Sequence, residues 1–190
     1  LMGFYQGMRV GLFQLDPAAR GRVFYADETL TGFNFSRFSA TLDQVLSGLL
    51  GLAATPEPPA LYVGSTTVDA VLPGFLDANV MGLGSRDALI SLWLGNRTRI
   101  AAHYDLPDNL AVAAAGRRRF TVFPPEQIHN LYMGPLDPTP AGQPVSLVDF
   151  EKPDFERFPR FAQALEAGEM VELEPGDAIF IPSMWFHHIE

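Results

Sequence analysis

Short blocks of hydrophobic residues, broken by glycine, proline and polar residues, recur along most of the chain. Blocks of this kind predict strands at residues 61–65, 88–95, 110–116, 118–125 and 144–150. The stretch 170–182 predicts a hairpin, because Pro175 and Gly176 suit the two central positions of a type II turn. Many short strands with this punctuation favour a barrel or a sandwich.

A helical period of apolar residues occurs in fewer places. The longest such stretch, residues 38–51, carries a leucine-rich face, with Ser39 or Thr41 as its N-cap and Gly51 at its end. Shorter helices are predicted at residues 125–132 and 158–168. The pattern as a whole therefore predicts a mainly β protein with flanking helices.

Composition narrows the class of protein. A length of 190 residues with 47% hydrophobic positions suits a single domain over residues 1–190. The chain has no cysteine, which excludes disulfides and thiolate metal sites, and its net charge of −9 argues against binding to nucleic acid. We find no apolar run long enough to span a membrane and no secretory signal, so we expect a cytoplasmic protein.

The stretch "HYDLPDN" at residues 103–109 carries the first candidate chemistry. In a strand, His103 and Asp105 would point to the same face, about 6.5–7 Å apart at the backbone. His187, after the apolar run "AIFIPSMWF", supplies a second imidazole. Two histidines and one carboxylate form the facial triad of non-haem Fe(II) oxygenases, which leaves coordination positions open. Spacing alone leaves a second interpretation equally open, in which these are ordinary polar residues joined by hydrogen bonds.

A longer series of motifs carries a family resemblance. His-x-Asp is followed in order by Asn, Gly-Arg-Arg-Arg-Phe, Pro-Pro, Pro-Gly-Asp and Ile-Pro-x-x-Trp-x-His. This series resembles the cupin-like JmjC oxygenases, and in particular the asparaginyl hydroxylase of hypoxia-inducible factor. The pieces "RVFYADETLTGFNF" and "LYVGST" extend the resemblance over nearly the whole chain. It implies a double-stranded β-helix (the cupin jelly roll) that binds Fe(II), 2-oxoglutarate and O2.

The same resemblance implies the metal ligands. His103, Asp105 and His187 match the three iron ligands of the family. The placement Trp-x-His selects His187, and strand alternation sends His188 to the opposite face, where we expect it to pack or to support a ligand. His188 as the ligand is the alternative. His129 is expected to be a partly exposed helix residue outside the chemistry.

Further positions match cosubstrate and pocket residues of the family. Arg118 stands where the related hydroxylase has a lysine that holds the far carboxylate of 2-oxoglutarate, and alternation lets it point inward while its arginine neighbours stay solvated. The alternative is a basic patch in which all three arginines are exposed. Tyr62 matches a tyrosine that binds the same carboxylate; the alternative is a core tyrosine. Asn109 matches a pocket asparagine, although it could instead serve a turn. Ile100 departs from a threonine that donates to the cosubstrate.

The two tryptophans, Trp185 and Trp93, are expected to form pocket walls or core and not to react.

The implied reaction is hydroxylation of a C–H bond with release of succinate and CO2. A protein or peptide side chain is the preferred substrate and a small molecule the next, whereas the acidic charge disfavours nucleic acid. Two alternatives remain: a cupin metalloprotein whose chemistry needs no 2-oxoglutarate, and a non-catalytic binding module on the same fold. A cationic anchor at Arg118 distinguishes the oxygenase from the first, and an intact ligand set argues against the second.

The resemblance also concerns the end of the sequence at Glu190. In the related fold a further core strand follows the third ligand, and some members add helices that form a homodimer. We therefore expect a C-terminal core strand, and a region able to form such a dimer, outside these 190 residues.

Overall fold

The computed structural model describes residues 1–80, 82, 88–140 and 142–190. In chain order, the strands and α-helices are β1 (Arg9–Leu15), β2 (Arg22–Val23), β3 (Phe35–Thr41), α1 (Leu42–Leu52), β4 (Ala60–Thr67), α2 (Val68–Val71), α3 (Phe75–Ala78), β5 (Ser91–Gly95), β6 (Arg99–Tyr104), β7 (Asn109–Val112), β8 (Arg118–Phe123), α4 (Phe161–Ala167), β9 (Glu169–Leu173), β10 (Ala178–Ile181) and β11 (Phe186–Ile189). Short 3-10 helices occur at Met2–Phe4, Pro17–Ala19 and Pro125–His129. The predicted class, mainly β with few helices, is confirmed.

The chain divides into two compact units, and the first comprises residues 1–21 and 35–98. Its four-stranded sheet has the strand order β3-β1-β4-β5. One face of this sheet packs against α1 and α2 around a buried cluster of Val10, Leu42, Val45, Val63, Val68, Val71 and Leu72. Aliphatic burial of this kind is the main source of stability in this unit.

The second unit comprises residues 22–34 and 99–190. It contains a five-stranded sheet of order β2-β6-β11-β8-β9 and a two-stranded sheet of β10 and β7. One buried cluster draws residues from both sheets: Ala113, Phe120, Val122, Leu173 and Ile181. A second cluster, which includes α4, consists of Phe123, Leu131, Val148, Phe161, Ala164 and Phe186. Val122 and Phe123 are neighbours on β8, so the two clusters lie on opposite faces of the five-stranded sheet.

The first predicted helix begins later than expected. Residues 38–41 belong to β3, which pairs with β1 along seven residues, so sheet pairing overrides the helical pattern there. Of the two predicted N-caps, Thr41 takes that position and Ser39 does not, and the backbone N–H of Thr41 donates to Gln44 Oε1 at 3.1 Å in a capping box. Gly51 does not end the helix, which continues to Leu52.

The predicted hairpin at residues 170–182 is wrong. The turn itself forms, because Asp177 N–H donates to Glu174 O at 2.9 Å and Gly176 has a φ of 102°. The strands on either side do not pair with each other: β9 pairs with β8 and β10 pairs with β7. Gly176 N–H donates to Ala113 O at 2.8 Å, which directs the turn toward β7.

The predicted strand at residues 144–150 is also absent, apart from one isolated bridge between Ser146 and Met133. Ser146 is fully buried and bonds in two directions: its N–H donates to Ala102 O at 2.7 Å, and its hydroxyl donates to Leu131 O at 2.5 Å. These bonds satisfy the buried backbone without a continuous ladder. Among the described residues, no helix has the length and apolarity needed to cross a bilayer.

Candidate metal centre

His103 and His187 face each other across two neighbouring strands. β6 and β11 are antiparallel, and their register places the two histidines directly opposite. Their ring centroids are 4.4 Å apart, and both residues are buried, with 7% and 4% exposure. Directly opposed residues of an antiparallel pair point to the same face of the sheet. The sheet register therefore brings together two imidazoles that are far apart in the sequence.

Asp105 completes the cluster from just beyond the end of β6. One ligand atom of each of His103, Asp105 and His187 lies within 4.8 Å of the other two. Asp105 Oδ2 is 3.6 Å from His187 Nε2, and the aspartate side chain is 37% exposed. The three donors thus converge on a point that has two buried sides and one open side.

Backbone carbonyls fix which nitrogen of each ring faces this point. His103 Nδ1 lies 2.9 Å from Ala101 O, and His187 Nδ1 lies 3.2 Å from Trp185 O. A carbonyl oxygen can only accept, so Nδ1 carries the proton in both rings and Nε2 keeps its lone pair. Metal-binding histidines are held in this way by a partner on the second nitrogen.

Burial keeps both imidazoles neutral. It lowers the pKa of His103, and only part of that effect is offset by the hydrogen bond to Ala101 and the charge of Asp105. Burial, followed by the proximity of His103, lowers the pKa of His187 to about 4. Both rings are therefore unprotonated at neutral pH, which is the form that binds a metal ion.

Asn109 orients the carboxylate of the cluster. It is the first residue of β7, and its Nδ2 donates to Asp105 Oδ2 at 2.7 Å. The sequence suggested a pocket or turn role for Asn109; in the structure it begins a strand and contacts the aspartate. Two neutral imidazoles and one hydrogen-bonded carboxylate, open on one side, fit an Fe(II) ion with exchangeable positions.

Arg118 lies on the same face of the five-stranded sheet as His187. Val122 pairs with His187, and alternation along β8 brings Arg118 to the same side, about 13–14 Å along the strand from Val122. Arg118 is half-buried. Arg117 and Arg119 are more exposed. Arg117 forms ion pairs with Glu172 and Glu174, and Arg119 forms one with Glu190. Only one arginine of the three thus turns toward the histidine face.

The remaining predicted residues divide between the two units. Trp185 is half-buried in the second unit and packs against the cluster that contains Phe120 and Val122. Tyr62 and Trp93 belong to the first unit, with ring centroids 6.3 Å apart. Tyr62 is buried, whereas Trp93 is 54% exposed and so is not a core residue. Ile100 is buried within β6.

His188 and His129 lie apart from the cluster. His188 is buried on the opposite face of β11, with its ring 4.3 Å from that of Phe150. Its Nε2 is 3.6 Å from Glu190 Oε1, beyond hydrogen-bond reach, and neither ring nitrogen has a hydrogen-bond partner among the described residues. His129 is exposed in the 3-10 helix Pro125–His129.

Comparison with known sequences gives the site a family context. The sequence model of the cupin-like domain matches residues 1–190. The chain belongs to the cupin-like domain family. Its fold class is accordingly the cupin jelly roll with flanking helices, and JmjC proteins are among its relatives. The conjunction of this family with the His-Asp-His cluster agrees with the Fe(II) site that is typical of JmjC cupins.

The relatives of this cupin-like chain have names of several kinds. It is 37% identical over 87 residues to the tRNA wybutosine-synthesizing protein 5 of Gallus gallus, which covers 46% of the chain and 24% of that protein. It is 31% identical over 123 residues to the lysine-specific demethylase JMJ31 of Arabidopsis thaliana, and the match covers 64% of the chain and 21% of that protein. For HSPB1-associated protein 1 of Bos taurus the identity is 34% over 102 residues, and the match covers 53% of the chain and 20% of that protein. The matched segments thus span about a quarter or less of each relative.

Proposed function

We propose that this cupin-like chain is an Fe(II)- and 2-oxoglutarate-dependent dioxygenase that hydroxylates a C–H bond of a protein side chain or a small molecule. The observation that carries the proposal is the cluster of His103, Asp105 and His187, in which backbone carbonyls hold both Nδ1 atoms so that the imidazoles present Nε2 toward one carboxylate. Iron held there would supply oxidation of the substrate C–H bond, coupled to decarboxylation of 2-oxoglutarate to succinate and CO2 with O2 as oxidant.

The residues of the chain would bind and orient the reactants. His103, His187 and Asp105 would hold the iron, and Asn109 would keep the aspartate oxygen in place through its 2.7 Å hydrogen bond. Arg118, on the histidine face of the sheet, would hold the far carboxylate of 2-oxoglutarate with two parallel hydrogen bonds. Trp185 is proposed as a pocket wall, and the roles that the resemblance implies for Tyr62 and Trp93, which belong to the first unit, stay predictions. With isoleucine at position 100, that side chain can offer no hydrogen bond to the cosubstrate.

The substrate class is proposed from charge and from the relatives. One relative is by its name a lysine-specific demethylase and another a tRNA wybutosine-synthesizing protein, so protein and RNA substrates are both represented. A net charge of −9 disfavours a polyphosphate partner. We therefore favour a protein or peptide side chain, and hydroxylation as in the asparaginyl hydroxylase that the motifs resemble. The absence of cysteine suits the cytoplasm.

An anaerobic titration of the Fe(II)-loaded chain with 2-oxoglutarate tests the proposal. Chelation of the metal by the keto acid gives a weak visible charge-transfer band, which we expect in the wild type. His187→Ala should abolish the band because a ligand is lost. Arg118→Ala should shift the titration to higher 2-oxoglutarate concentration because only the distant carboxylate loses its partner.

Arg117→Ala is the matched control for Arg118→Ala. Arg117 is the preceding residue, but it is 70% exposed and pairs with Glu172 and Glu174. Its removal should leave the titration unchanged. Metal binding without any band would point to cupin chemistry that needs no 2-oxoglutarate. A band with equal weakening in both arginine variants would show that Arg118 holds no carboxylate.

A further inference from the structure

Two loops carry the ligand-bearing ends of β6 and β11, and they are joined to each other. The first loop contains residues 105–108 and the second residues 182–185. Ser183 N–H donates to Asp108 Oδ1 at 2.8 Å, and the Ser183 hydroxyl donates to Leu106 O at 2.5 Å. Met184 N–H donates to Asp105 O at 2.9 Å. We call these three hydrogen bonds the loop latch.

The loop latch holds a strained residue. Met184 has a φ of 67°, in the left-handed region that side chains other than glycine, asparagine and aspartate rarely adopt. Such a conformation persists where the surroundings over-determine it, and this happens most often at functional sites. Met184 lies three residues before His187, and its own N–H bonds to the backbone of Asp105. The hydrogen bond from Met184 N–H to Asp105 O therefore links the strained residue to the backbone of a candidate ligand.

Without the latch, the two histidines of the cluster would still be held in place by the sheet, but the aspartate would be held less firmly. Ladder pairing of β6 with β11 fixes His103 against His187, so the imidazoles are placed by the sheet itself. Asp105 lies outside the ladder, and its side chain is 37% exposed. Among the described residues, its side chain accepts a hydrogen bond only from Asn109. The backbone of Asp105 follows Tyr104, the last residue of β6 to pair with β11, and beyond that pair the latch holds it relative to His187.

We propose that Asp108 and Ser183 are positioning residues of the metal centre, which act by fixing Asp105 against His187 before a metal ion arrives. Neither side chain belongs to the ligand cluster, and both residues are exposed. The inference rests on the proposed metal centre and adds to it residues that would raise its affinity. A ligand that is already in place loses less conformational freedom on binding than one on a mobile loop.

Direct titration with Co(II), followed by its visible ligand-field absorption, tests this role without any enzymatic assay. Asp108→Ala removes the acceptor for Ser183 N–H and should weaken Co(II) binding about tenfold, as the loss of an outer partner does at other metal sites. Asp108→Asn retains an oxygen acceptor at the same place and should restore wild-type affinity. Ser183→Ala removes only the bond to Leu106 and should give a smaller loss than Asp108→Ala.

Asp154→Ala is the matched control. Asp154 is also an exposed aspartate of the second unit, and its Oδ1 accepts from the backbone N–H groups of Glu156 and Arg157. This variant loses the same kind of bond away from the two loops, so it should leave Co(II) affinity unchanged while lowering the melting temperature by a similar amount. Equal affinity losses in Asp154→Ala and Asp108→Ala would overturn the positioning role, as would an Asp108→Ala variant with wild-type affinity.

Failure of the metal centre itself would look different. If the folded wild type binds no Co(II), the proposed centre is wrong and the latch has nothing to position. If the wild type and all latch variants bind Co(II) equally, the centre stands and the latch proposal alone fails. A loss in Asp108→Ala that Asp108→Asn restores supports both.

Discussion

Two adjacent histidines, His187 and His188, lie on opposite faces of β11 and have different surroundings. On one face, His187 has its Nδ1 bonded to Trp185 O and its Nε2 3.6 Å from Asp105. On the other face, His188 lies against Phe150 and has no hydrogen-bond partner among the described residues for either ring nitrogen. Both histidines are about equally buried, at 4% and 5% exposure. Burial alone therefore does not mark a metal ligand.

The orientation of the ring and the nature of its neighbours do distinguish the two residues. A lone pair is useful to a metal ion only if the other nitrogen is held and further donors lie nearby. His187 meets both conditions, whereas His188 has only Glu190 Oε1, 3.6 Å from its Nε2, and no hydrogen-bond partner on Nδ1 among the described residues. The cost of burying unpartnered nitrogens at position 188 must be offset by packing against aromatic neighbours. We expect the ligand face to control metal affinity and the aromatic face to control stability, and four substitutions test this division.

The largest effect is expected from Phe186→Ala on the aromatic face. Phe186 is 2% exposed and lies edge-on to Tyr104 at 5.5 Å within the aromatic cluster. Its truncation should lower the free energy of unfolding by about 3–5 kcal/mol, measured by denaturant titration. Phe180→Ala is the control, because Phe180 is 61% exposed and its loss should cost little.

Metal affinity should not follow this loss of stability. Co(II) titration of Phe186→Ala, under conditions where the variant is folded, should give wild-type affinity. A loss of affinity as great as that of a ligand variant would show that the two faces are not independent.

The second effect concerns the ligand face. His187→Leu removes one of the three donors and should weaken Co(II) binding by about 100-fold or more, above the loss typical of outer partners. The fold should persist, because β11 keeps its ladder pairing with β6 and β8. Far-UV circular dichroism checks the fold and absorption titration checks the affinity. Wild-type affinity in this variant would remove His187 from the metal centre.

The sequence allowed much of the ligand face to be predicted. The spacing of His103 and Asp105, the alternation along β8 and the resemblance to JmjC oxygenases together indicated the cluster and the inward side of Arg118. These features follow from the period of a strand, which is a local property of the sequence. The strand partners were harder to predict. β9 and β10 join different sheets although a turn connects them, because pairing depends on contacts that are distant in the sequence.

The hydrogen bonds around the site could not be predicted from the neighbouring residues in the sequence. Asp108 and Ser183 are 75 residues apart, and an exposed aspartate or serine in a loop is common. Asn109 was easier to connect with the site, because it lies four residues after Asp105. Its hydrogen bond to the carboxylate nevertheless depends on how the chain bends into β7. The missing hydrogen-bond partners of His188 likewise follow from the aromatic packing around it.

The third effect concerns the hydrogen bond to the aspartate. Asn109→Ala removes the donor to Asp105 Oδ2 and should weaken Co(II) binding about tenfold, because the carboxylate is then free to turn away. Asn130→Ala is the control, since its Nδ2 donates to Gln127 Oε1 at 2.9 Å, away from the ligands. If the two variants bind Co(II) equally well, the orientation of the carboxylate does not limit affinity.

The smallest effect is expected from His188→Leu, the same change as His187→Leu one residue further along β11. It replaces a ring with two unpartnered buried nitrogens by an apolar side chain, which removes a desolvation cost but also the contact with the ring of Phe150. The net change in unfolding free energy should lie within about 1 kcal/mol of zero. Glu190 keeps its bond to Arg119 Nε at 2.7 Å, so no charge is left unpaired. Co(II) affinity should equal that of the wild type. A weakening comparable to that of His187→Leu would assign a metal-binding role to His188 and would contradict the separation of the two faces.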